Sequence, residues 1–246
     1  MTYSHIRTLA VVLIIGVGIS TAGAPLSGFQ PTRWTPMDAY ILQPLAGGPK
    51  SVQLLSPDGT LLSSARFVYD SAGRLTEERF TDAAGNDAGS NRYTYADGRI
   101  KEETLLNTAG KVIGRTKFIY KEKQLVALEQ FDPDHKLVSR QDFAYKEGRI
   151  VQGVETTGEQ KDQFVIDYQD QKPVAMTVKS SEHGQLSRIT YRYDEQGRLK
   201  QRVRETFGNF SRCDYIYDGQ GRIEAYAYYN QINGQWEREK KLQFAY

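Results

Sequence analysis

The chain has little of what catalysis, disulfide stapling or polyanion binding draws on. Its 246 residues hold one cysteine and three histidines. Cys213 has no second thiol to pair with, so an exported fold of this size must be held by burial alone. Thirty-two Lys and Arg against 30 Asp and Glu leave a net charge of +2. That balance supplies no field for a nucleic acid and excludes one as the main partner. Only one long apolar run exists, the eleven residues Leu9 to Ile19, short of the ~20 a spanning helix needs. The Gly-rich stretch Ala46-Gly47-Gly48-Pro49 lacks the Lys-Ser/Thr and the following helix of a phosphate loop, so no nucleotide cofactor is expected.

Arg7, the run Leu9 to Ile19 and the small residues Ser20-Thr21-Ala22-Gly23-Ala24 reproduce the three-part layout of a secretory signal peptide. The expected domain order is a signal peptide over 1–22, a Pro-rich lead-in or cap over 23–50, and a repeat domain over 51–246. Location is then the periplasm or the cell surface, with no stable membrane insertion once the signal is cleaved. An uncleaved anchor is the alternative. The lead-in carries five of the eight prolines, from Pro25 to Pro49, a density that excludes a central strand.

What the sequence has in abundance is tyrosine, 16 residues, beside 10 Phe and 22 Gly. One tyrosine recurs at Tyr69, Tyr95, Tyr120, Tyr145, Tyr168, Tyr193, Tyr217 and Tyr246, at intervals of 26, 25, 25, 23, 25, 24 and 29. Two positions earlier stands Phe67, Tyr93, Phe118, Phe143, Ile166, Tyr191, Tyr215 or Phe244. Large apolar groups at i and i−2 share one face of a strand. Turn residues follow, as in Asp70-Ser71-Ala72-Gly73-Arg74, and then an aliphatic that restarts a strand: Leu75, Ile100, Leu125, Ile150, Val174, Leu199 or Ile223. A second turn returns the chain to the next tyrosine. The fold class is therefore all-β, an antiparallel meander of about sixteen strands built from seven to eight hairpin repeats of ~25 residues. A sheet that wide cannot stay flat under natural twist, so it is expected to be strongly curved or rolled. Its terminal strand, carrying Tyr246, is expected to fray.

The unit Y-D-x-x-G-R-[LI], intact as Tyr69 to Leu75, Tyr193 to Leu199 and Tyr217 to Ile223, resembles the YD repeat of rearrangement-hotspot (Rhs) and teneurin-type proteins. The resemblance covers Phe67 to the C-terminus, with Lys121 to Gln124 and Gln169 to Pro173 departing from the Gly-Arg pattern. No segment like the family's core or a variable toxin domain follows the last repeat. The resemblance implies a sheet of hairpins that acts as scaffold or binding surface and does no chemistry.

Three functional readings compete. The first is a non-enzymatic scaffold or binding protein whose partner is an unknown protein or a surface glycan. The second is a glycan hydrolase using Glu77 and Glu102, which the strand phase puts beside the tyrosines on neighbouring hairpins. The third is an outer-membrane barrel, against which Leu199 to Phe207, L-K-Q-R-V-R-E-T-F, puts charge on both strand faces. His135 and His183 sit at turn tips with no nucleophile motif, so no catalytic residue is assigned. Asp132-Pro133-Asp134-His135 is what a turn wants, and no metal is expected. Cys213 shares the tyrosine phase and is expected to be an inert core thiol. Pairing Tyr217 with Ile223 sets Asp214 opposite Tyr226 and Arg212 opposite Tyr228, all four facing away from the core. Arg212, Asp214, Tyr226 and Tyr228 thus form the candidate ligand patch for a sugar, with Trp236 on the core side.

Overall fold

The computed structural model describes residues 48–181 and 184–246. The proposed signal peptide and most of the Pro-rich lead-in lie outside these residues, as does His183. Strands run from β1 (Ser51–Leu55), β2 (Leu61–Tyr69), β3 (Leu75–Asp82) and β4 (Asp87–Ala96) to β5 (Arg99–Leu106), β6 (Val112–Lys121), β7 (Gln124–Phe131) and β8 (Leu137–Lys146). They continue as β9 (Arg149–Thr157), β10 (Gln160–Gln169), β11 (Lys172–Ser180), β12 (Gly184–Tyr193), β13 (Leu199–Thr206), β14 (Asn209–Tyr217), β15 (Ile223–Ile232) and β16 (Gln235–Ala245). Each strand pairs antiparallel with its sequence neighbours, and β1 pairs with β16 to close a barrel. Closure goes further than the rolled sheet expected from sequence. Val52 sits opposite Phe244 on one side and Ala65 on the other, so β16 is held from both flanks. The fraying edge anticipated for Tyr246 does not exist.

Inward positions at the tyrosines and two residues before them are apolar because the repeat makes them so. Phe67, Tyr93, Phe143, Ile166, Tyr191, Tyr215 and Phe244 are all buried. Tyr69, Tyr145, Tyr168, Tyr193, Tyr217 and Tyr246 pack half-buried against that core at one end of the barrel. There six of the tyrosines, Tyr95, Tyr145, Tyr168, Tyr193, Tyr217 and Tyr246, lock onto the preceding hairpin in the same way. The hydroxyl donates to a carbonyl at the start of the earlier strand: Tyr95 to Leu75 at 2.6 Å, Tyr145 to Leu125 at 2.8 Å, Tyr193 to Pro173 at 2.7 Å and Tyr217 to Leu199 at 2.8 Å. The basic residue after the turn lies over the ring. Arg74 covers Tyr95 at 4.7 Å, Arg198 covers Tyr217 at 4.3 Å and Arg222 covers Tyr246 at 4.2 Å. In the intact turns the Asp carboxylate accepts the backbone N–H of the Arg and its guanidinium, as at Asp70 and Arg74. One heptapeptide therefore closes its own turn and grips the next repeat. Burial pushes the hydroxyls of Tyr193 and Tyr217 up to about 12, so they remain donors at neutral pH.

The departures from this motif are explained by turn type. Lys121 to Gln124 and Gln169 to Lys172 use two-residue turns with Glu122, Asp170 and Gln171 at positive φ, which need no Gly-Arg. At the tyrosine end every hairpin also skips a residue, with register shifts between Val68 and Tyr69, Thr94 and Tyr95, and Ile216 and Tyr217. These bulges sharpen the twist and decide which side chains of the returning strands face inward.

Candidate functional site

The outward face of β12 to β16 forms rows of residues paired across the strands. One row runs Arg192, Gln201, Asp214 and Ala227. The next runs Thr190, Val203, Arg212, Tyr229 and Arg238. A third joins Arg188, Glu205 and Phe210, while Gln231 faces Trp236. Together they enclose an open groove of about 370 Å³, with Arg192, Gln201, Phe210, Arg212, Gln231 and Trp236 on its walls and Val203 between them.

Arg212 is the centre. Its guanidinium carbon lies 4.1 Å from the Tyr229 ring and 4.8 Å from the Trp236 ring, and it pairs with Asp214 at 3.1 Å. The Gln201 amide donates to the other oxygen of Asp214 at 2.9 Å. A guanidinium stacked on two rings and held by a carboxylate keeps one orientation, unlike a free surface arginine. Arg192 is exposed and makes no ion pair among the described residues.

Of the four residues assigned from sequence, Arg212 and Asp214 face this groove. Tyr226 and Tyr228 do not. Tyr217 faces Ile223 as expected, but the bulge then pairs Ile216 with Ala225, Tyr215 with Tyr226 and Cys213 with Tyr228. Glu224 is skipped and the phase inverts. Tyr226 is packed edge-on between Tyr215 and Phe244, with both centroid distances 5.1 Å, and burial raises the Tyr228 hydroxyl well above its ordinary value. The aromatic partners of Arg212 are therefore Tyr229 and Trp236, the latter assigned to the core side from sequence. Large residues at the third and fifth positions after the restarting aliphatic, Tyr226 and Tyr228 after Ile223, were the available signal of this phase. Cys213 is buried, as its phase required.

The same inversion moves Glu77 and Glu102 outward and Glu78 and Glu103 inward. Glu77 accepts from Arg79 at 2.7 Å and from Arg92 at 3.2 Å. These cations outweigh its partial burial and hold its carboxyl below the usual range. Glu102 lies 3.8 Å from Arg115. Arg92 of β4 pairs in register with Glu77 on one side and Thr104 on the other, so the two glutamates do not form a facing pair. Inside, the Asn91 amide donates to Glu103 at 2.5 Å and to Glu78 at 3.4 Å. A second internal group sets Glu155 opposite Asp162 of β10 and Gln141 of β8. Burial, helped by the charge of Asp162, pushes Glu155 up to about 7. These carboxyls are buried on the inward face of the barrel. His135 is exposed at positive φ, with an Arg115 guanidinium nitrogen 2.8 Å from Nδ1. Among the described residues no cluster of three metal-ligating groups occurs.

Comparison with solved structures places the fold beside a porin-like protein from Bacteroides uniformis, at 12% identity, TM-score 0.51, and coverage of 80% of this chain and 96% of that one. At this identity the likeness concerns the fold alone. A porin-like protein from Bacteroides vulgatus also matches, at 11% identity, TM-score 0.34, 80% of this chain and 98% of that one. So does TcdB2-TccC3 without its hypervariable C-terminal region, at 12% identity and TM-score 0.28, over 76% of this chain and 15% of that chain. No family model matches the chain. No curated protein matches it either.

Proposed function

We propose that the chain is an exported, non-enzymatic binding scaffold built of YD-like hairpins, working in water in the periplasm or at the cell surface. The observation that carries this reading is the polarity of the barrel. Phe, Tyr, Leu and Met make up much of the inside, beside buried, mutually paired polar groups such as Asn91 with Glu103, while Arg66, Arg79, Arg92, Lys117, Asp142, Asp167 and Arg192 stand exposed on the outside. A lipid-embedded barrel has the reverse arrangement, and each Arg or Lys near the bilayer midplane would cost ~2–4 kcal/mol. The side-chain filling also differs from the aqueous channel usual in sixteen-stranded porins. The likeness to a porin-like protein accordingly supports the barrel and not a pore.

Against the hydrolase reading stand the arginine partners of Glu77 and the separation of Glu77 from Glu102 by Arg92. The test is fractionation of the native host followed by carbonate washing. Recovery in the soluble exported fraction is expected, and purification without detergent should yield a folded β protein. Retention with integral membrane material would refute the reading. Turnover of cell-wall or surface glycans that disappears in Glu77→Gln or Glu102→Gln would refute its non-enzymatic part.

A further inference from the structure

We infer that the groove on β12 to β16 is a subsite for a carboxylated saccharide of the uronic-acid type. The inference rests on the water-facing reading of the barrel and adds the chemistry of the ligand. Asp214 neutralises Arg212 at 3.1 Å, while Arg192 remains exposed and without an ion pair among the described residues. The groove wall thus has an unpaired cation at one end, while the neighbouring carboxylate, Asp214, is engaged by Arg212 and Gln201. Charge complementarity calls for an anion.

The rest of the wall narrows the class. Trp236 and Phe210 offer apolar surface for the C–H face of a pyranose ring. Gln201 and Gln231 carry both donors and acceptors, which suits neighbouring hydroxyls that must give and take hydrogen bonds. Arg212 is already fixed by Tyr229, Trp236 and Asp214, so little of its rotamer freedom remains to be lost on binding. The volume of about 370 Å³ is at the small end of the ~300–1,000 Å³ range of ligand sites, the scale of one or two sugar rings. An acidic peptide fits less well. Extended peptides gain their main-chain bonds by adding to a free sheet edge, and every strand of this barrel already has two neighbours.

The experiment is titration calorimetry of the mature chain with trigalacturonate, with maltotriose as neutral counterpart and oligoglutamate as peptide counterpart. Trigalacturonate should bind, with maltotriose weaker by about tenfold or more, the scale of one lost charge-assisted hydrogen bond, and oligoglutamate weaker for want of a ring face to lay on Trp236 and Phe210. Arg192→Gln should weaken trigalacturonate by about tenfold and reduce its salt dependence, and Trp236→Leu should weaken it with the salt dependence retained. Arg192 is exposed, so that change leaves folding intact, and Arg66→Gln on β2, outside the groove lining, should change nothing. Equal binding of the neutral sugar, equal or tighter binding of oligoglutamate, unchanged affinity in Arg192→Gln, or no saccharide binding at all would each overturn the inference. A soluble, folded barrel with no sugar affinity would sink this inference alone, whereas recovery with integral membranes would sink the reading beneath it.

Discussion

Glu155 offers the sharpest test of the inward face. Its carboxyl is 8% exposed, opposite Asp162, itself 4% exposed. Its folded-state pKa is about 7 against an ordinary 4.5, with burial the largest cause, the Gln141 hydrogen bond opposing it, and the Asp162 charge adding to it. A raised carboxyl pKa means that the folded state holds the proton more tightly than the unfolded chain. Below about pH 4.5 both states are protonated and Glu155 costs nothing. As pH rises towards 7 the unfolded chain ionises first and stability falls; above about 7 both are ionised and the penalty is constant. At about 1.4 kcal/mol per pKa step, full development of the penalty is about 3 kcal/mol. Glu155→Gln keeps the shape and the partner at Gln141 while removing the charge. Urea unfolding of both proteins between pH 4 and pH 8 should therefore give equal stabilities at the acid end and a variant about 2–3 kcal/mol more stable at the alkaline end. Carboxylates that do not touch Glu155 titrate alike in both proteins and cancel in the difference. A difference that stays flat with pH, or a variant less stable at pH 8, would refute the assignment of Glu155 to a buried inward face.

The remaining predictions concern packing. Asp162→Asn should move the pH dependence due to Glu155 to lower pH, because it removes the like charge that helps raise that group; an unmoved curve would mean that the two do not interact. Gly153→Ala should destabilise by about 2–3 kcal/mol through overpacking, since an added Cβ would meet Phe164 Cζ at 2.3 Å and the Asp142 carbonyl at 2.7 Å, and adding Phe164→Leu should recover part of the loss in a double-mutant cycle. Tyr145→Ala should cost about 3–5 kcal/mol and Tyr145→Phe about 1 kcal/mol for the hydroxyl alone. Because β1 closes on β16, Tyr246→Ala should cost nearly as much as Tyr145→Ala; a negligible effect by thermal or urea unfolding would mean that the barrel opens at that seam.

The period of the tyrosines was enough to read strand number, direction and the identity of the inner face on every second strand, because i and i−2 aromatics have only one way to lie together on a strand. Closure was not legible: sheet width demands curvature, but the partner of a terminal strand depends on accumulated twist, and β1 is too short to advertise the pairing of Val52 with Phe244. Nor was the bulge at each tyrosine turn. Tyr217 and Ile223 face each other with or without it, so the anchors of the hairpin are silent about the residue skipped between them. β11 shows the mechanism by exception. There Tyr168 pairs with Pro173 rather than with the aliphatic Val174, so Met176 keeps the phase expected from sequence and is buried.

The consequence for function comes from that one-residue step. Without it Tyr226 and Tyr228 would stand outside beside Arg212 while Tyr229 filled the core. With it the rings at Tyr226 and Tyr228 join Tyr215 and Phe244 in the core, and Arg212 passes to Tyr229 and Trp236. The arginine and the aspartate could be placed from sequence because they precede the bulge on β14; their aromatic partners follow it and could not. A binding surface on a repeat barrel is in this way set by turn chemistry as much as by its own residues. Gly-Arg turns and two-residue turns both introduce the shift, so the outward character of every returning strand is fixed by the hairpin that precedes it. That dependence explains why the aromatic wall of the groove on β12 to β16 could not be assigned from the tyrosine period alone.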